Sequence, residues 1–422
     1  MASSARPRSS ANEKRSPSPL VRAGLTFGGA IAAASILTAG TQLALARLLR
    51  PSEYSLLVTL FIVITVAGVP LGGLQASVAR QVAAAFESGG VPLAGVAVRA
   101  ASRALIRLTV PAAIVACAAA VPLALVLEVR RPWPLVATGA TIAASIGLTV
   151  VLGGLQGAHR FIVLSWTQVG FALLKLVAAV TAAAAGASVG GVMTAVAAAT
   201  FVTLALAAVP LAPYLRASAH AAVERVSIVT RYSGNAGAAL TLFAVMTTLD
   251  VLVARVTLRP ALAGAYAAAS VLARALLVIP TAVTTVLFPT VSTLRDRARE
   301  RRHLLGGVVS TLATCLPITA VIWLQAPRIL DVIFGSRYAP AAHWVGPLSL
   351  AMSFYAVAFV YLFHVLSLGR TDFALLASPV MAFQAGAFVL FHGSGDNLVA
   401  VQLAAALGLA LAGVAIDRRR RA

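Results

Sequence analysis

The stretch Arg47-Leu48-Leu49-Arg50-Pro51-Ser52-Glu53-Tyr54 closes one long apolar run and opens the next, and the chain repeats it. Arg255-Val256-Thr257-Leu258-Arg259-Pro260, followed by Tyr266, stands at the matching junction 209 positions on. Pro70, inside the run that follows the first junction, is answered by Pro280, at an offset of 210. A chain built twice on one plan from membrane helices is the construction of many secondary transporters, with the substrate path where the halves meet.

Working outward, twelve apolar runs are found, near 23–46, 55–79, 104–127, 135–157, 161–184, 192–215, 234–257, 264–289, 304–325, 344–366, 373–391 and 398–416. Each approaches the roughly 20 residues that cross a hydrocarbon core of about 30 Å. In lipid every backbone polar group must be paired internally, so the runs read as helices. Composition agrees: 60% of the 422 residues are hydrophobic and 11% charged, against about 45–50% and 25% in soluble domains. The expected fold is an all-α polytopic membrane protein of about twelve transmembrane helices. Six spans per half make the two repeats parallel, related by an axis along the membrane normal.

The expected domains are a disordered basic cytoplasmic tail at 1–22, an N-terminal lobe at 23–215, a cytoplasmic linker at 216–233, a C-terminal lobe at 234–416 and a basic tail at 417–422. Ala44-Leu45-Ala46 resembles a signal-peptidase site, but the apolar run before it is too long for a cleavable segment, so the first span is read as uncleaved. Segment 80–103 reads as a partly amphipathic interfacial helix. Arg295–Arg302 reads as a charged collar at the cytoplasmic surface.

The net charge of +21 raises the question of nucleic acid. Its distribution answers differently. Inward-facing segments carry 23 basic residues and outward loops 8, with Lys175 and Arg274 left inside spans. That asymmetry is the positive-inside pattern and sets both termini in the cytoplasm, in a plasma (inner) membrane protein. Nucleic-acid binding, which gathers basic residues on one folded face, is not expected.

Catalytic signals are missing. No Walker A loop, H-E-x-x-H or Cys-x-x-Cys occurs, the outward carboxylates are solitary, and Cys117 and Cys315 each sit within a span. No catalytic residue, metal site or cofactor is assigned. A membrane glycosyltransferase or polymerase is the weakest of the function classes considered, since it wants acidic residues or a metal on a substantial outward loop.

A charge in a span is costly, so it marks function or a partner. Asp250 is the one acidic residue within a span; Lys175 shares a helix face with Ser165, Gln168 and Ala172; Arg274 lies midway along the eighth span. Lys175, Arg274, Arg107 and Arg160 form the expected cationic cavity, suited to a phosphate or pyrophosphate that Arg can grip bidentately. The structural alternative has Asp250 neutralising Arg274 or Lys175 in a buried pair, which leaves one cation over. Asp250 itself reads as a salt-bridge gate, a coupling site for a proton or cation, or a structural partner. The paired glycines of Leu71-Gly72-Gly73-Leu74-Gln75 and Leu152-Gly153-Gly154-Leu155-Gln156 read as close-packing points before hinges.

Ala46–Tyr54 resembles the A-R-x-L-x-P-x-E-Y/F-G signature of the polysaccharide biosynthesis and export family, the oligosaccharide flippases of the multidrug/oligosaccharidyl-lipid/polysaccharide (MOP) exporter superfamily. Leu155-Gln156-Gly157-Ala158-His159-Arg160-Phe161 is similar to that family's L-Q-G-x-x-R-F turn. Leu249–Arg255 and Ala265-Tyr266 through Phe288-Pro289 are similar to its later segments, although Ser55 stands where Gly is usual. The resemblance, over about residues 20–416, implies a MATE-like two-lobed bundle with a central cavity, and alternating access that moves a polyprenyl-pyrophosphate-linked oligosaccharide from inner to outer leaflet for cell-surface polysaccharide. It implies membrane lipids as surroundings and glycosyltransferases or a polymerase of the same pathway as candidate partners. Cation-coupled multidrug efflux is the alternative, yet such relatives commonly carry an acidic residue in the first span and Leu25–Ala46 has none.

Overall fold

The computed structural model describes residues 19–126, 132–217, 231–281, 283–284, 297–368, 370 and 372–419. Those residues are almost all helical. The N-terminal lobe holds α1 (Pro19–Leu48), α2 (Pro51–Val126), α3 (Trp133–Gly157), α4 (Phe161–Ala184) and α5 (Val189–Ala208). The C-terminal lobe holds α6 (Arg231–Met246), α7 (Leu249–Thr257), α8 (Pro260–Arg274), α9 (Arg297–Leu324), α10 (Ala326–Ile333), α11 (Ala342–Ser367), α12 (Asp372–Leu390) and α13 (Gly395–Arg419).

Ten helices among the described residues are long and apolar enough to cross a membrane, or eleven if α6 and α7 count as one bent span. The number expected was about twelve. The difference lies in α2, which covers the second and third expected spans as one helix broken at Gly89 (φ −153°) and Gly90 (φ 65°). Gly90 takes the left-handed conformation that a side chain disfavours. Side chains 108–123, most of the third span, fall outside the described residues. Segment 80–103 is helical as expected, but it is packed into the lobe. Val82, Ala94, Ala97, Val98 and Ala101 are buried in one cluster with Leu152, Leu155 and Leu211.

The two glycine-pair motifs meet each other. Gln75 Nε2 donates to Gln156 Oε1 at 3.2 Å, and a Cβ on Gly153 would stand 2.8 Å from the Gln75 carbonyl oxygen. Close packing is what Gly153 supplies. Gly73 instead has open space beside it and lines a cleft of about 580 Å3 between α2, α6 and α12. The expected linker 216–233 lies mostly outside the described residues, as do Arg295 and Asp296 of the collar. Glu300, from the collar's remainder, pairs with His364 at 3.2 Å and ties α9 to the end of α11.

The repeated junction starts a helix both times. Pro51 and Pro260 occupy the first helical turn, where a missing N–H costs nothing and the fixed φ is preset. At the first, Glu53 Oε2 accepts from the Arg50 backbone N–H at 3.1 Å, half of a capping box. The lobes meet chiefly along α2, against α6, α7 and α8. The small residues Ala263, Gly264, Ala265 and Ala267–Ala269 of α8, all buried, permit that approach.

Candidate functional site

The break between α6 and α7 organises the centre of the C-terminal lobe. The two helices bend by 41°, with no Gly or Pro at Thr247-Thr248 to cause it. Both threonine hydroxyls turn back onto their own helix: Thr247 Oγ1 onto the Phe243 and Ala244 carbonyls, Thr248 Oγ1 onto that of Ala244 at 2.6 Å. Such back-bonding competes with the backbone ladder and bends helices. The Met246 carbonyl this releases accepts from Gln384 Nε2 (2.9 Å), Gln402 Nε2 (3.1 Å) and Tyr355 OH (3.3 Å). Irregular backbone at membrane depth is tolerated only where protein satisfies it in this way.

One turn later stands Asp250, with no exposed surface. Its Oδ1 accepts from Arg274 Nη2 at 3.0 Å; its Oδ2 accepts from Ser270 Oγ (2.9 Å) and Tyr266 OH (3.2 Å). Arg274 in turn donates through Nε to the Thr247 carbonyl (3.0 Å) and through Nη2 to Ser270 Oγ (2.7 Å). One edge of the guanidinium is therefore pinned to the helix break. Nη1 has no partner among the described residues, and the side chain is 16% exposed.

Arg274 borders a cavity of about 710 Å3 between the lobes. Ile31 through Leu43 of α1 and Gln168, Phe171, Ala172 and Lys175 of α4 form one wall. Val271 through Val278 form the other, and Ile333 and Phe334 close one end. Lys175 Nζ lies 5.6 Å from the centre of the Phe171 ring, within cation–π reach, and 3.5 Å from Thr38 Oγ1. Among the described residues it has no ion-pair partner, and no carboxylate lines the cavity. The expected α4 face contributes Gln168, Ala172 and Lys175, while Ser165 does not line it.

The four expected cations are thus not gathered in one place. Arg274 and Lys175 share the cavity; Arg107 and Arg160 are exposed and line none of it. Arg160 Nε stands 3.5 Å from Tyr214 OH, at the far end of α4. The opposition between a buried pair and a cavity dissolves at Arg274, which is both. Its pinned edge leaves only Nη1 for a ligand, so the two-pronged grip expected of it is not available in this conformation.

At the end of the bundle where α1 passes into α2, a latch joins the lobes. Arg47 Nε donates to the Ile333 carbonyl at 3.0 Å and Arg47 Nη2 to that of Val332, capping the carbonyl end of α10, where a cation is favoured. Arg337 Nη2 donates to the Arg47 carbonyl (2.8 Å) and Tyr338 OH to that of Ala46 (2.9 Å). Tyr54, Phe334 and Tyr338 form an edge-to-face trio with centroids 5.8–6.3 Å apart. Gly264 of α8 lies against the Pro51 backbone so closely that a Cβ there would overlap the Pro51 carbonyl.

Residues 44–343 match the model of a family described as polysaccharide biosynthesis protein. The chain belongs to that family. Its fold is that of the MOP superfamily, as the resemblance of its junctions implied. An inward-facing MATE-family multidrug resistance transporter superposes with a TM-score of 0.71 at 14% identity, over 91% of this chain and 94% of that one. The lipid II flippase MurJ, in an inward closed conformation, gives 0.66 at 12% identity, over 93% and 87%. A MOP-superfamily transporter from Pyrococcus furiosus, described as having a binding pocket of reversed polarity, gives 0.60 at 15%, over 95% of both chains. A search of curated proteins finds no match. The chain is therefore a multi-pass membrane protein of the polysaccharide biosynthesis family with the MOP transporter fold.

Proposed function

We propose that the protein is a flippase, not an enzyme, that carries a polyprenyl-pyrophosphate-linked oligosaccharide from the inner to the outer leaflet of the plasma membrane by alternating access. The observation that carries this reading is the inter-lobe cavity, which holds Arg274 and Lys175 and, among the described residues, is lined by no carboxylate. Asp250 neutralises one of those two charges, leaving a net positive centre suited to a phosphorylated headgroup. In the direction set by the positive-inside pattern, the latch seals the outer end, and the cleft between α2 and α6 lies toward the cytoplasm. The conformation is accordingly read as inward-facing, with Asp250 as the structural partner that orients Arg274. Glycosyltransferases or a polymerase of the same pathway are the proposed protein partners, and both termini are taken as cytoplasmic.

Lys175→Met tests the reading more cleanly than Arg274→Ala. Removing Arg274 would strand a buried carboxylate, whereas Lys175 has no ion-pair partner to strand. In a deletion strain complemented with the variant, surface polysaccharide should fall below a tenth of the wild-type level while membrane abundance is kept. Normal polysaccharide from that strain would overturn the part given to Lys175 and its cavity, and drug hypersensitivity of the deletion strain with an intact glycan profile would replace the reading with the efflux alternative.

A further inference from the structure

A second cavity, of about 140 Å3, lies wholly inside the N-terminal lobe. It shares Thr38, Gln42, Phe171 and Lys175 with the central cavity, so the two adjoin across the lysine. The rest of its polar wall comes from three helices: Thr41 on α1, Thr65 on α2, and Thr141 and Ser145 on α3.

The hydrogen-bonding capacity of this wall is lopsided. Thr41 Oγ1 already donates to the Leu37 carbonyl (2.8 Å), Thr65 Oγ1 to Phe61 (2.8 Å), Thr141 Oγ1 to Ala137 (2.9 Å) and Ser145 Oγ to Thr141 (2.7 Å). A hydroxyl that has spent its proton keeps its lone pairs, so each of these oxygens remains an acceptor. Gln42 Oε1 is inaccessible and has no partner, a buried acceptor left unmatched. Beside the four hydroxyl acceptors, the boundary shared with the central cavity carries donors: the Lys175 ammonium, the Thr38 hydroxyl it donates to, and the Gln42 side-chain amide. A phosphate, which only accepts, matches those boundary donors and none of the four hydroxyls that have spent their protons. A group rich in hydroxyl donors matches all four hydroxyl oxygens. The Phe61 and Phe171 rings supply apolar faces beside them, and polar anchors among aromatic walls are the usual make-up of a small-molecule site.

We propose that this pocket is a saccharide subsite that receives the first sugar ring of the headgroup, while Lys175 at its mouth holds the adjoining phosphate. The proposal rests on reading the central cavity as the headgroup site. The pocket is smaller than the roughly 300–1,000 Å3 that encloses a drug-sized ligand, so it takes one ring and leaves the remaining sugars to the 710 Å3 cavity. Selectivity then rests on the lipid-proximal sugar.

The test measures binding to the full chain in lipid nanodiscs. The probes are farnesyl pyrophosphate and its glucosyl, galactosyl and N-acetylglucosaminyl esters. At least one ester should bind about tenfold more tightly than the sugar-free compound, the size of one or two net hydrogen bonds. The Thr141→Val/Ser145→Ala variant, which removes two acceptors at nearly constant shape, should bind farnesyl pyrophosphate as the wild type does and lose that gain. If no ester outbinds farnesyl pyrophosphate on the wild type, or the variant keeps the gain, the subsite is refuted while the phosphate cavity stands. If the wild type binds none of the four, the headgroup cavity falls and the subsite with it.

Discussion

Replacing Gly264 with alanine should drive the protein out of its latched conformation. The added methyl would overlap the Pro51 carbonyl and lie 2.8 Å from Pro51 Cα, where carbon pairs rest at about 3.5–4.0 Å. Both neighbours are helix backbone, at the start of α2 and the first turns of α8, so neither can rotate aside as a side chain would. The lobes must separate locally by about 1 Å, which is enough to strain every hydrogen bond of the Arg47, Arg337 and Tyr338 set. Overpacking of this kind costs about 1–3 kcal/mol. Because the clash exists only while the lobes touch, the whole cost falls on the latched state and lowers its population relative to the open one by about 5- to 150-fold. Spin labels at Arg50 and Arg328, exposed positions on opposite lobes, report it by electron–electron distance measurement in a background lacking Cys117 and Cys315. The variant should gain a population at longer distance that the parent lacks. A distribution identical to the parent's, from protein of normal thermal stability, would show that the Gly264–Pro51 contact does not hold the lobes together.

Two further outcomes follow from the polar network behind the cavity. Arg274→Met should reduce membrane abundance severely, because it leaves Asp250 buried without its cation, at about 3–5 kcal/mol out of a net stability of about 5–15; Asp250→Asn/Arg274→Met should restore abundance without restoring surface polysaccharide, as quantitative immunoblots would register. Gln384→Leu removes one donor from the Met246 carbonyl and the partner of Gln402 Oε1, so the purified protein should melt earlier by a shift equivalent to about 1–3 kcal/mol. Adding Gln402→Leu should cost less than the sum of the two single changes, since both amides serve one carbonyl.

The two-lobed plan was legible because it rests on signals that survive in a bare sequence: apolar runs of spanning length, proline at matching helix starts, and basic residues biased to one side. The centre was legible in part. Lys175 and Arg274 were found because an unhidden charge in a span is rare, but hydropathy does not say which way a helix face points, and Arg107 and Arg160 stand elsewhere. The break at Thr247-Thr248 escaped notice because neither residue is a helix breaker by composition. The signal that could have shown it was the company it keeps, two threonines before Asp250 and two glutamines, Gln384 and Gln402, placed in otherwise apolar helices. The latch was invisible for a different reason. Arg47, Arg337 and Tyr338 bind backbone carbonyls, which every residue possesses, so no pairing of side-chain types betrays the contact. The N-lobe pocket was hidden likewise, since a serine and threonines bonded to their own helices look like ordinary packing residues until three helices bring them together.

Ile333 and Phe334 belong to both the latch and the cavity, and this sharing decides how occupancy can reach the outer end. The Ile333 carbonyl accepts from Arg47, and the Phe334 ring packs on Tyr54 and Tyr338, while both residues form the end wall of the cavity. A ligand shifts a conformational equilibrium only by the difference in its affinity for the two states. A headgroup held low, between Lys175 and Arg274, bridges the two lobes and favours whichever state holds those cations at its span, but it does not touch the latch itself. One that fills the cavity up to Phe334 competes with the aromatic trio for the same space and so disfavours the latched state directly. On the proposed reading, length adds to what charge does: a bare prenyl phosphate would reach the cations without touching Phe334, whereas an oligosaccharide would press on it. Coupling between filling and opening then requires no relay through the lobes, because one short segment, Val332–Phe334, is wall and bolt at once.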